Sequence, residues 1–103
     1  MESSFFAQVY EVVGKIPSGS VTTYGLIAAM IGRPQAARHV GFAMNSAPEG
    51  LPCHRVVNRL GTLAPQDVFG SEDFQRHLLA LEGVTFLENG RIDMKRHCWS
   101  GDA

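Results

Sequence analysis

Apolar residues in the first third of the chain recur with the spacing of helices. Phe5, Val9, Val12 and Ile16 form the stripe of an amphipathic helix that stops before Pro17-Ser18-Gly19. In VTTYGLIAAMIG (21–32), Thr22 or Thr23 can cap a second helix whose Ile27, Met30 and Ile31 share a face, with Gly32 suited to the position after its end. Pro34 fits the first turn of a third helix, where its missing N–H costs nothing, and Ala37, Val40, Gly41 and Met44 make that helix's inner stripe. Gln35, Arg38 and Phe42 then project together on its outer side. On its own, that face is compatible with ordinary surface charge and a phenylalanine tucked against a loop; a solvated surface would seldom choose the phenylalanine.

Further along, Asn58 to Gly61 reads as a turn, and the chain up to Gly70 shows no period. Ser71 can cap a helix with Glu72 and Asp73 in its first turn, Phe74, Leu78 and Leu81 as its buried stripe, and Gly83 at its end. Asn89-Gly90 is a two-residue hairpin signal that pairs Leu87 with Ile92 and Thr85 with Met94. A hairpin following two short helices joined by Gly32-Arg33-Pro34 is a wing on a helix-turn-helix. The pattern predicts a winged helix-turn-helix-like domain, mainly α with a small β component, and the 103 residues suit one domain, 1–103.

Composition narrows the classes. With 45% hydrophobic and 18% charged residues the chain reads as soluble and globular, and its longest apolar stretch, around Leu26 to Ile31, is too short for a bilayer span. The expectation is a cytoplasmic protein without a membrane partner. A net charge of −1 argues against non-specific coating of nucleic acid, while leaving a local basic patch open. Two cysteines, Cys53 and Cys98, make no disulfide framework, and no Cys/His spacing suggests a metal site; no metal or cofactor is expected.

The stretch LPCHRVVN (51–58) holds the candidate chemistry. A cysteine acts as a nucleophile only as thiolate, so Cys53 needs a base, and His54 is adjacent in sequence. Direct contact between neighbours needs a bend, which Pro52 can supply; a bridging water is the other solution. Glu82, a carboxylate placed at the unfavourable end of a helix, could orient His54. Local chemistry leaves a reactive Cys53–His54 pair balanced against a buried inert thiol and a core histidine, and spacing alone favours a surface glutamate without a partner at Glu82. Cys98, His77 and His97 read as structural or incidental, and Arg55, Arg59 and Arg91 as phosphate contacts or, more often, surface charge.

The segments TTYG (22–25), AARHVG (36–41), PCHRV (52–56) and LEGV (81–84) stand in the order found in the DNA-binding domain of O6-alkylguanine-DNA alkyltransferases, which the chain resembles over essentially its whole length. Its size and its ending GRIDMKRHCW resemble the stand-alone alkyltransferase-like proteins, which usually carry Trp or Ala at the cysteine position, whereas Cys53 is kept here. The resemblance implies a protein that flips O6-alkylguanine out of double-stranded DNA, because the O6 atom is unreachable inside the stack. By position, Arg38 would fill the vacated stack, Tyr24 would help rotate the nucleotide, and Ala37 would allow close approach to the backbone. Cys53 would accept the alkyl group irreversibly, His54 would take its proton through water, Glu82 would orient His54, and the carbonyls of Cys53 and Val56 would read the guanine amine. Two differences from the family pattern are Ala47-Pro48 at the end of the third helix and APQDVFGSED in place of a Tyr-Ser-Gly-Gly loop. They motivate an alternative: a non-catalytic lesion-binding monomer that signals nucleotide excision repair proteins.

Overall fold

The computed structural model describes residues 4–63 and 72–101. Ser4 caps α1 (Phe5–Val13), its Oγ accepting from the Ala7 N–H at 3.1 Å. Val9 and Val13 lie one turn apart and, with Ile16 just past the helix, are buried. The chain then enters β1 (Thr22–Thr23), and Thr23 caps α2 (Tyr24–Met30) by accepting from the Leu26 N–H at 3.1 Å. Of the two candidate caps, the second threonine takes the role.

Pro34 does not open the third helix. The Ala36 N–H bonds the Arg33 carbonyl at 2.9 Å, so Pro34 sits in a reverse turn, where its fixed φ is equally at home, and α3 (Ala37–Asn45) starts after it. Gln35 therefore precedes the helix rather than riding on it. The inner face of α3 is Val40, Ala43 and Met44, and the Tyr10 hydroxyl of α1 donates to the Ala43 carbonyl at 2.8 Å. Ala37 and Gly41, expected inside, line a surface groove instead. A methyl group at Ala37 and no side chain at Gly41 leave that groove open.

A parallel pair joins distant parts of the chain: β2 (Val56–Val57) sets Val56 against Thr22 and Val57 against Thr23. Successive residues of a strand face opposite sides, and each side here has its own core. Val56 packs with Val9, Val13, Ile27, Val40 and Met44 beneath the first three helices. Val57 packs with Val21, Leu63, Leu79, Val84 and Ile92.

The stripe expected for α4 (Glu72–Leu81) is rotated in the structure. Phe74 and Leu81 are exposed, at 54% and 71%, and the fully buried positions are Gln75 and Leu79. Apolar spacing favoured the wrong face because the inward position one turn before Leu79 is a glutamine that serves as a hydrogen-bond donor. The Ser71 cap and the Glu72 and Asp73 side chains lie outside the described residues. At its other end, α4 closes with Val84 N–H on the Leu79 carbonyl and Gly83 N–H on the Ala80 carbonyl, both at 3.0 Å. Gly83 holds φ 89°, a left-handed conformation without penalty for glycine, and this closure fixes Glu82 at the helix end.

The hairpin is present one residue out of the expected register. Phe86 bridges Ile92, and the Leu87 N–H donates to the Arg91 carbonyl at 2.7 Å across Glu88-Asn89-Gly90. Among the described residues only glycines have positive φ, so Asn89 cannot form the two-residue turn and Gly90 takes the left-handed position of a three-residue loop. A one-residue shift exchanges faces: Ile92 is buried and Leu87 is exposed. Arg76 braces the wing from α4, donating to the Gly90 carbonyl at 3.0 Å with its guanidinium 4.7 Å from the centre of the Phe86 ring. After α5 (Met94–His97) the chain returns to β1, with the Trp99 N–H on the Val21 carbonyl at 2.7 Å. The architecture is mainly helical with a small sheet, two helices in a turn-linked pair and a wing.

The rotated stripe has a direct check. In urea unfolding, Leu79→Ala is expected to cost about 2–5 kcal/mol, and Leu81→Ala to stay within about 0.5 kcal/mol.

Candidate functional site

The LPCHRVVN stretch is a tight bend, as Pro52 suggested. The Cys53 N–H bonds the Leu51 carbonyl at 2.8 Å around Pro52, whose φ −78° and ψ 61° are those of an inverse γ-turn. One 3₁₀ turn, Cys53–Arg55, follows directly and feeds into β2. Consecutive residues on such a turn point about a third of a revolution apart, which separates the surroundings of Cys53 from those of His54 and Arg55.

His54 and Arg55 both reach Glu82. His54 Nε2 lies 2.9 Å from Glu82 Oε2, while Arg55 donates through Nε to Oε1 at 2.9 Å and through NH2 to Oε2 at 2.6 Å. Arg55 NH1 also donates to the Ile16 carbonyl at 2.8 Å. Arg55 is therefore neither surface charge nor a phosphate contact; it is a two-pronged clamp on the carboxylate. The Arg55 hydrogen bonds, outweighing the opposing effect of burial and aided by His54, hold the Glu82 carboxyl down at about 2. An ionised carboxylate only accepts, so the His54 Nε2 carries the proton and Nδ1 is the basic nitrogen of the neutral ring.

Cys53 is half-buried and its thiol is free of any disulfide. Burial pushes its pKa above the ordinary 9.0, with a smaller lowering from its own backbone N–H. At neutral pH it is a protonated thiol that needs a base. It opens on a hollow of about 320 Å³ with Met44, Asn45, Pro48 and Leu51 among its walls.

A larger groove of about 710 Å³ runs along α3, lined by Tyr24, Ala37, Arg38, Phe42, Arg59 and Leu60 among others. Tyr24, Ala37 and Arg38 thus line one groove. Cys53 is not in that groove, but Asn45, at the end of α3, lines both hollows. Val56 is buried, and its carbonyl already accepts from the Gln75 amide at 3.2 Å, with the His54 carbonyl on the same amide nitrogen at 2.9 Å. Gln75 and Arg55 are the supporting residues that sequence reasoning missed. His97 is structural: its Nδ1 pairs with the Gly19 carbonyl at 3.0 Å and its Nε2 accepts from the Thr85 N–H at 3.0 Å. Among the described residues no cluster of His, Cys, Asp or Glu could hold a metal ion, and no helix is long and apolar enough to cross a membrane.

Residues 4–84 match the family model described as the DNA-binding domain of 6-O-methylguanine DNA methyltransferase. The chain belongs to this family. Within it, the chain is similar to a "DNA base-flipping protein" of Escherichia coli K12, 46% identical over 103 residues and covering 96% of this chain and 77% of the relative. It is also similar to the methylated-DNA–protein-cysteine methyltransferase of Salmonella typhimurium, 48% identical over 85 residues and covering 81% of this chain but only 48% of that protein. In three dimensions it resembles Schizosaccharomyces pombe Atl1, crystallised with damaged DNA containing O6-carboxymethylguanine, with a TM-score of 0.80 at 36% identity over 96% of this chain and 98% of that one. The methyltransferase family fold and the order of its motifs are therefore present, and its members carry names for flipping as well as for transfer.

Two outcomes test the electrostatics. Glu82 has a folded pKa depressed from 4.5 to about 2, so it contributes stability that is present above pH 4.5 and is lost as pH falls toward 2. Urea midpoints measured across that range should fall in the wild type and fall less steeply in Glu82→Gln. In a Cys98→Ser background, iodoacetamide should modify Cys53 slowly at neutral pH, with a rate that climbs to an inflection above 9.0.

Proposed function

We propose that this chain acts as a single-domain monomer that binds double-stranded DNA containing O6-alkylguanine, turns the damaged nucleotide out of the helix and transfers its alkyl group to Cys53. The observation that carries the reading is a pair of hollows that share Asn45 in their walls, one lined by Tyr24 and Arg38 and the other by Cys53, with His54, held by the clamped Glu82 carboxylate, beside Cys53 on the same turn. Arg38 enters the space left in the stack, Tyr24 steers the nucleotide, and Ala37 lets α3 approach the sugar-phosphate backbone.

The chemistry follows from the tautomer. His54 Nδ1 takes the Cys53 proton through a water, and the held-down Glu82 carboxylate stabilises the imidazolium so formed. The thiolate sulfur attacks the alkyl carbon, the carbon–O6 bond breaks with its electron pair passing to the guanine, and a thioether forms at Cys53. The proton removed from the thiol is returned to the purine, so charge balances without a cofactor. Nothing in the site reverses a thioether, and each molecule acts once.

A second reading is supported by the raised Cys53 thiol and by the similarity to proteins named for base flipping. There the complex persists, and nucleotide excision repair proteins are the partners that act on it. Incubation with a duplex carrying O6-[methyl-labelled]guanine distinguishes the two. Transfer places one methyl group on Cys53 in peptide mass spectra and abolishes it in Cys53→Ala. Tight binding with Cys53 left unmodified establishes the second reading instead, and Arg38→Ala should weaken lesion binding about tenfold or more under either.

A further inference from the structure

Phe42 stands on α3 one turn beyond Arg38 and leaves 52% of its surface exposed, and Leu60, on another wall of the same groove, leaves 56%. A lone exposed apolar residue is unremarkable. Two that share a groove with Arg38, Arg59 and Tyr24 form an apolar surface among donors and cations suited to a polyanion. The Phe42 ring is also braced: His39 meets it edge-on at 5.9 Å, and Phe5 of α1 meets His39 edge-on at 6.3 Å. A chain of rings thus runs from α1 to the groove and supports Phe42 from behind while one flank stays open.

Given the DNA-binding reading of this face, we infer that Phe42 is an aromatic wedge that stacks on the base pair beside the extruded nucleotide, with Leu60 packing against the neighbouring sugar. Arg38 and Phe42 divide the work. The guanidinium takes up hydrogen bonds lost from the emptied position, and the ring covers the apolar base face that extrusion bares. Every base has a π-face, so this contribution tolerates any flanking sequence, and it releases no counterions, so it is insensitive to salt. Arg59, lining the same groove, is a phosphate contact with the opposite signature.

The test is fluorescence anisotropy with an O6-methylguanine duplex across a salt series, in a Cys53→Ala background so that the lesion persists. Phe42→Ala is expected to weaken binding about tenfold at every salt concentration without changing the slope of log affinity against log salt, and Phe42→Trp is expected to restore binding. Arg59→Ala should instead lower the magnitude of that slope by about 1. With 2-aminopurine placed next to the lesion and protein at saturation, emission on binding should rise more with Phe42→Ala than with the parent, because the ring that covers and quenches the bared base is gone, and thermal melting should be unchanged because the side chain is not in the core. Unaltered affinity in Phe42→Ala, or a loss accompanied by a shallower salt slope, overturns the wedge. If the parent protein does not prefer the lesion duplex, the DNA-lesion reading itself fails, an outcome visible before any Phe42 variant is compared.

Discussion

The hold of Arg55 on Glu82 is the contact on which the site depends. Glu82 closes a helix whose carbonyl end repels a carboxylate, and it is mostly covered by protein, so the charge persists only with a strong partner. Arg55 supplies two parallel donors and uses a third to fasten the Ile16 carbonyl at the end of the first helix-bearing segment. Three stretches far apart in sequence meet at one guanidinium. Because His54 shares a carboxylate oxygen with Arg55, the direction of the imidazole follows from the clamp.

The backbone of the same turn is held by a second, neutral device. The Gln75 amide is fully buried and bridges the His54 and Val56 carbonyls, so α4 grips both the side chains and the main chain of this stretch. The β1–β2 pair anchors its far end, with Val56 and Val57 each committed to a different core. Rigidity at the thiol comes from these non-local contacts, since the 3₁₀ turn alone is too short to hold itself.

Much of this was legible in the sequence and some was not, for physical reasons. The three N-terminal helices are where the apolar period put them, though Val13 rather than Val12 is buried in the first and Ala37 and Gly41 of the third face a groove; the cap at Thr23 and the stop at Gly83 follow local chemistry, and the histidine–carboxylate pair was one of the readings that local chemistry left open and that the family resemblance implied. Arg55 escaped because an arginine's default place is solvent, and only its partner across 27 residues shows otherwise. Gln75 escaped because a buried amide breaks the apolar stripe by which a helix face is found, and that break also misoriented Phe74 and Leu81. The hairpin slipped by one because Asn89 declines positive φ, a choice between turn types that the Asn-Gly pair does not settle. The groove positions Ala37 and Gly41 resemble core positions to any apolar count, although their smallness is what keeps the groove open.

The half-covered, protonated state of Cys53 has a bearing on endurance. Thiolates are what cellular oxidants and stray electrophiles consume, and a half-buried sulfur that stays protonated in the hollow walled by Pro48 and Leu51 presents them with a poor target. Under the transfer reading proposed above, a molecule that reacts once would otherwise be exhausted by its surroundings long before meeting a damaged duplex. On that reading, keeping the sulfur dormant makes the lifetime of the protein a matter of encounters with DNA rather than of ambient chemistry.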